Sequence, residues 1–275
     1  MSKRREKRHH GIRNFFIYCL ILAAIWYIGT FTLKTTEVTI ESSEIKDDVT
    51  IVQLTDLHGA VFGQGNSRLL QRVKEAKPDF IVITGDMYSS GDDEGRQTAV
   101  DLMADLAKFS PVYFVNGEHD NNETYDEQLT AAGVDVLDYE SRDITVGQTT
   151  VRLYGISNVY YSSTFDLANE FTLNKDIFNI LAAHIPNFSA FADFGIDLSL
   201  CGDSHGGQVR LPFVGGFNNG GVWFPELKDG KEKYVKGLYE MGDKNLFVSS
   251  GLGNFPVPIR FLNRPEVAVI HLTGE

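Results

Sequence analysis

Five apolar runs in this chain end on an acid, a histidine or both. Asp56 and His58 follow VTIVQLT, Asp86 follows DFIVITG, and Glu118, His119 and Asp120 follow PVYFVNG. His184 follows FNILAA, and Asp203 and His205 follow DLSLCG. Carboxylates and imidazoles hold divalent metals and move protons. Singly, each position has a plainer reading. One Asp after a strand is usually a helix cap, and one His usually packs in a core. Five such points in chain order are harder to dismiss. Four of the seven histidines belong to the set; His9 and His10 lie in a basic leader, and His271 sits in a late apolar run that packs it. The pattern predicts a metal site assembled from five strand ends.

For those ends to converge, the runs before them must be strands of one α/β domain, where ligands gather at the carboxyl ends of strands. The periodicity agrees. VTIVQL reads as a strand, SRLLQRVKEAK as an amphipathic helix and DFIVIT as a buried strand. TAVDLMADLAKF reads as a helix, PVYFV as a strand and TYDEQLTAAG as a helix stopped at Gly133. Alternation of this kind means parallel strands covered on both faces. The second half is richer in strands: ITVGQTTVRLYG, FNILAAH, DLSLCG, KEKYVKGLYE, NLFVSS and PEVAVIHL. The domain is expected over 49–275, with the polar stretch 34–48 as a stalk and the glycine-rich 214–221 as a loop. Phe213, Phe217, Trp223 and Phe224 cluster in and around that loop, as packing, as a rim for an apolar substrate or as a contact with the bilayer.

Ahead of the domain stand a basic leader, 1–13, with six Lys/Arg and one Glu, and then NFFIYCLILAAIWYIGTFTL, 14–33, twenty residues without a charge. At about 1.5 Å per residue that run reaches roughly 30 Å, the depth of a bilayer core. It predicts an uncleaved signal anchor, with the leader in the cytoplasm and everything beyond it outside. Without the leader the chain has 19 Lys/Arg against 36 Asp/Glu, a formal charge of −17. That excess argues against nucleic-acid binding and predicts repulsion from an anionic membrane face. Cys19 lies in the apolar run and Cys201 in the domain, so the domain has no disulfide of its own.

On these residues the chain resembles the calcineurin-like metallophosphoesterases. Their pattern D-x-H, G-D, G-N-H-D/E, H and G-H-x-H stands here as DLH (56–58), GD (85–86), GEHD (117–120), His184 and GDSH (202–205). PDFIVITGDM, GGQVRLP and SSGLGNFPVPIRFLNRPEVAVIHL are similar to its membrane-anchored bacterial phosphodiesterase branch. The resemblance, over about 49–273, implies a four-layer α/β/β/α sandwich and two divalent metals. Asp56, His58, His205 and a bridging Asp86 would hold the first. Asp86, His184 and the residues at 118 and 203 would hold the second. His119, steadied by Asp120, would act toward the leaving group. Asn66, Arg68 and Arg210 are candidate substrate contacts.

Two positions depart from the pattern. Glu118 stands for an Asn and Asp203 for a His, both at the second metal. Four carboxylates instead of two bring the loaded site close to neutral, and oxygen-rich shells favour Mn²⁺ or Mg²⁺. The expected function is hydrolysis of a phosphodiester or pyrophosphate in an envelope-lipid or nucleotide-type substrate. The alternative is a tethered pseudoenzyme that binds one metal or a phosphorylated ligand without turnover.

Overall fold

The computed structural model describes residues 2–157, 161, 164–211, 213, 215–216 and 234–275, with side chains from residue 11 onward. Phe217, Trp223 and Phe224 therefore lie outside the described residues, as does the start of KEKYVKGLYE; Phe213 is fully exposed.

Helix α1 (Ser2–Phe31) carries an apolar stretch, Gly11–Phe31, long enough to cross a membrane, and only 11% of its apolar window is buried. The first half of the domain runs β1 (Lys34–Glu41), β2 (Val49–Leu54), α2 (Ser67–Ala76), β3 (Phe80–Ile83), α3 (Asp93–Ala107), β4 (Val112–Phe114), α4 (Glu123–Ala131) and β5 (Asp135–Val136). The second half runs β6 (Glu140–Val146), β7 (Thr149–Ile156), β8 (Phe178–Ala183), α5 (Phe188–Phe194), β9 (Leu198–Cys201), β10 (Arg210–Leu211), β11 (Gly215–Gly216), β12 (Gly237–Met241), β13 (Lys244–Val248) and β14 (Glu266–Thr273). Two six-stranded sheets result, ordered β1-β14-β2-β3-β4-β5 and β12-β13-β9-β8-β7-β6.

Three apolar clusters define four layers. Leu69, Val73, Leu102, Leu106 and Leu129 of α2, α3 and α4 cover the outer face of the first sheet. Ile51, Val82 and Ile270 of that sheet meet Leu153, Ile180, Leu198 and Phe247 of the second. Phe188 and Phe191 of α5 cover the far face of the second sheet. Each such side chain, wholly removed from water, contributes about 1.5–3 kcal/mol. The chain is thus the α/β/β/α sandwich that the motifs implied.

One boundary is corrected. Residues 34–41, read as stalk, form β1, an edge strand paired in parallel with β14 from Lys34↔Glu266 to Glu41↔Thr273. The segment is polar because one face of an edge strand is solvated; only Ile40 is fully buried. Helix α3 begins at Asp93, five residues before the expected start, because the Asp92 carboxylate accepts the Gly95 amide at 2.9 Å and caps it.

Candidate metal centre

The loops after β2, β3, β4, β8 and β9 bring all five acid and histidine stretches together. Their backbones are unusual. Asp56, His58, Asp86, Asp203 and His205 all take positive φ, at 51°, 46°, 54°, 70° and 48°. Side chains other than glycine rarely adopt this region, at roughly 1–3 kcal/mol each, so surrounding structure must hold them there. Gly85 supplies part of that structure: a Cβ on it would run into the backbone of Gly117, and one on Gly117 into the Asp86 carboxylate. The two loops can therefore close until the His119 amide donates to Asp86 Oδ1 at 2.9 Å.

Two groups of ligating atoms lie mutually within 4.8 Å: Asp56, His58 and His205, and Asp56, Asp86 and His184. The His58 and His205 rings stack at 4.9 Å with their Nε2 atoms 3.2 Å apart. His58 Nδ1 is held by Ser89 Oγ at 3.0 Å, and His184 Nδ1 by the Thr84 carbonyl at 2.7 Å. These bonds aim the Nε2 atoms inward, as an outer partner of a metal-bound histidine does. His184 Nε2 lies 3.3 Å from Asp86 Oδ2.

The cluster fits a cation. Asp56 Oδ2 and His184 Nε2, both in the cluster, are buried without hydrogen-bond partners among the described residues. Such atoms are costly unless something compensates them. Burial pushes Asp56 up to about 7. It pushes His58 down to about 4 and His205 well below the ordinary imidazole range. His184 goes the other way: burial opposes its charge, but the carboxylates of Asp86, Asp56 and Asp203 outweigh it and hold the imidazole well above its usual value. Asp86 is likewise pulled far below the carboxylate range, by His184 and His58 against burial. The apo site thus keeps a proton where a cation would bring positive charge.

Glu118 and Asp203 occupy the rim, with side chains 34% and 31% exposed. Asp203 Oδ1 stands 3.8 Å from His184 Nε2, and the Asp203 amide donates to Asp56 Oδ1 at 3.2 Å. Glu118 turns toward His119, Oε1 to Nε2 at 3.6 Å. Asp56 stands in the second cluster where the family pattern put these two residues.

His119 lines the mouth of the site, its ring 5.3 Å from His58 and 4.6 Å from Phe255. Asp120 does not brace it. The Asp120 carboxylate accepts the amides of Met87 and Gly117, each at 2.7 Å, and so ties the two loops together; burial, with Asp86 adding, pushes it up to about 7. Ser90 Oγ, 3.4 Å from His119 Nδ1 and 3.0 Å from its carbonyl, takes the bracing position instead.

Three other candidates have local engagements. Asn66 accepts the Phe62 amide at 2.9 Å, and Arg210 donates to the Gly206 carbonyl at 2.8 Å. Arg68 lines a separate cavity near the end of α1. Sequence reasoning missed Ser89, Ser90 and Phe255, whose ring also stacks on His58 at 4.9 Å. It also missed Arg260, fully buried with Nε and Nη2 on the Gly253 carbonyl at 2.9 and 2.6 Å, and Asn263, which donates to the His205 carbonyl at 2.7 Å. None of these ends a strand, so no periodic signal marked them.

The profile of the calcineurin-like phosphoesterase family matches residues 49–207. The uncharacterized metallophosphoesterase YkuE of Bacillus subtilis is 31% identical over 90% of this chain and 87% of its own. An uncharacterized metallophosphoesterase of Campylobacter jejuni is 28% identical over 100% of this chain and 74% of its own. The phosphodiesterase YaeI of Escherichia coli is 29% identical over 72% of each chain.

Proposed function

The chain belongs to the calcineurin-like phosphoesterase family, a metallophosphoesterase by that membership, and from this premise we propose a membrane-anchored enzyme that hydrolyses a phosphodiester or pyrophosphate bond. Its substrate is an envelope lipid or a nucleotide-type molecule. Asp56, His58 and His205 would hold one divalent cation, and Asp86 and His184, with Asp203 and Glu118 at the rim, would hold the other. Mn²⁺ or Mg²⁺ suits this second, oxygen-rich set. When bound, such a pair would polarise the phosphoryl oxygens and lower the pKa of a coordinated water.

The chain's own residues supply the rest. Ser89 and Thr84 fix which nitrogen His58 and His184 present. The His119 amide and the glycines at 85 and 117 fix Asp86. His119 Nε2, at the mouth, gives its proton to the leaving oxygen, and Ser90 Oγ beside Nδ1 and the His119 carbonyl orients the ring. The supporting observation is the set of buried, unpartnered ligand atoms of Asp56 and His184 within two compact clusters. Hydrolysis of bis-p-nitrophenyl phosphate by the purified chain, across a panel of divalent metals, tests the reading. Turnover that appears with Mn²⁺ or Mg²⁺ and disappears on chelation supports it; binding of one metal with no turnover under any cation makes the protein a binding module.

The leader 1–13 stays in the cytoplasm, 14–33 spans the membrane and the domain lies outside, because six basic residues precede the apolar run. Protease added to intact spheroplasts should remove the domain; digestion only after lysis would reverse the topology.

A further inference from the structure

The last two turns of α1 are bonded to the loop that roofs the site. Trp26 Nε1 donates to the Pro258 carbonyl at 3.1 Å, and the Arg260 amide donates to Thr30 Oγ1 at 3.1 Å. Gly29 lies so close that a Cβ there would meet the Arg260 carbonyl at 2.6 Å. Arg264 Nε reaches the Thr32 carbonyl at 3.2 Å, and its Nη2 the Leu33 carbonyl, capping the helix's negative end. Residues 258–264 therefore form a collar that reaches back along the apolar span. Trp26 lies about 7 Å before the helix end at 1.5 Å per residue, and the Pro258 carbonyl is level with it.

What the collar exposes is amphipathic. Ile259 and Leu262 are 43% and 58% exposed beside the helix. Around the helix end, Arg68, Arg72 and Arg264 line a cavity of about 350 Å³ with Phe31 and Thr32. Arg68 and Arg72 have no ion-pair partner among the described residues, and the one acid in the lining, Glu75, accepts from Gln71 at 2.8 Å. Exposed apolar side chains on the collar and arginines around the same helix end are the two kinds of contact that the boundary between acyl chains and anionic headgroups takes.

We propose that this collar seats the domain directly on an anionic bilayer surface, with Ile259 and Leu262 in the interfacial layer and headgroup phosphates at Arg68, Arg72 and Arg264. The inference rests on the reading of α1 as a membrane anchor. It places the site against the surface: Phe255, three residues before Pro258 and so at most about 10 Å along the chain, stacks on His58 and His119. A phosphate ester held at the headgroup level then needs no extraction from the membrane. The domain's overall acidity is overridden locally, because exposed charges more than about 10 Å away are screened.

The test uses the full chain in vesicles, with Cys19→Ser removing the exposed thiol and buried Cys201 left in place. An environment-sensitive fluorophore is attached at Leu20→Cys or at Leu262→Cys, and quenching by lipids spin-labelled at shallow or deep acyl positions is measured. Quenching of the 262 probe chiefly by shallow labels, strengthened by phosphatidylglycerol and weakened by Arg68→Glu with Arg72→Glu, is expected. A 262 probe in water beside a quenched 20 probe overturns the seating and leaves the anchor. Both probes in water overturn both. Phosphatidylglycerol dependence that survives the arginine changes removes the headgroup contacts.

Discussion

The two halves of the metal centre are built on different terms. Asp56, His58, His184 and His205 form a dry floor: the side chains of Asp56 and His184 are 0% exposed, and Asp86 beside them 5%. Their orientations are locked by backbone carbonyls, hydroxyls and left-handed turns. Glu118 and Asp203 form a wet rim, with side chains each about one-third exposed. A preorganised floor loses little entropy when it takes a cation and so sets affinity. A solvent-facing carboxylate rim can keep part of an ion's hydration and so bears on which cation is accepted. On the proposed function, catalytic competence belongs to the floor and metal choice to the rim.

Breaking the floor should have the largest effect. Asp56→Asn removes a carboxylate common to both clusters and is expected to cut turnover by about 10⁴-fold, the several kcal/mol that a metal supplies, with metal content falling in parallel. His119→Ala sits next: a loss of about 10²–10⁴-fold in kcat fits a general acid, with metal content unchanged. Parallel metal loss in that variant would make His119 a ligand. On the rim, Glu118→Gln should change turnover by only about tenfold while shifting the preferred metal, on the scale of an outer ligand.

A subtler contrast separates the halves by pH. Asp56 and Asp120, raised to about 7, and His184, raised well above its usual value, keep protons in the stripped fold that the unfolded chain has already released. Stability of the metal-free domain should therefore fall as pH rises from about 6.5 to 8. Metal binding displaces the protons of Asp56 and His184, so the stabilisation by added Mn²⁺ should grow across the same window. Thermal unfolding with and without metal, at both pH values, checks it; equal metal-free stability would mean that these groups are not protonated in the fold.

Much of the floor was legible in the sequence because strand periodicity is local and each ligand follows a strand by one to four residues. The α/β class followed from the same alternation, and the four-layer sandwich from the resemblance that the motifs carry. What escaped notice depends on contacts between distant segments. β1 looked like a stalk because its partner, β14, lies more than 200 residues away and only pairing reveals it as a strand. Asp120 looked like a brace for its neighbour His119, yet in three dimensions its carboxylate meets the amides of Met87 and Gly117. Phe255 lies within the stretch SSGLGNFPVPIRFLNRPEVAVIHL, but nothing local in it marks a contact with the histidines, which arises only because its loop folds over them.

The most direct measurement is metal content together with bis-p-nitrophenyl phosphate kinetics on the parent and on Glu118→Asn with Asp203→His. A parent that binds two cations, turns over with Mn²⁺ or Mg²⁺, and yields a double variant with tighter phosphate binding and activity shifted toward Zn²⁺ is the expected result. A parent that binds at most one metal and is inert, beside a double variant that gains both the second metal and turnover, would contradict it.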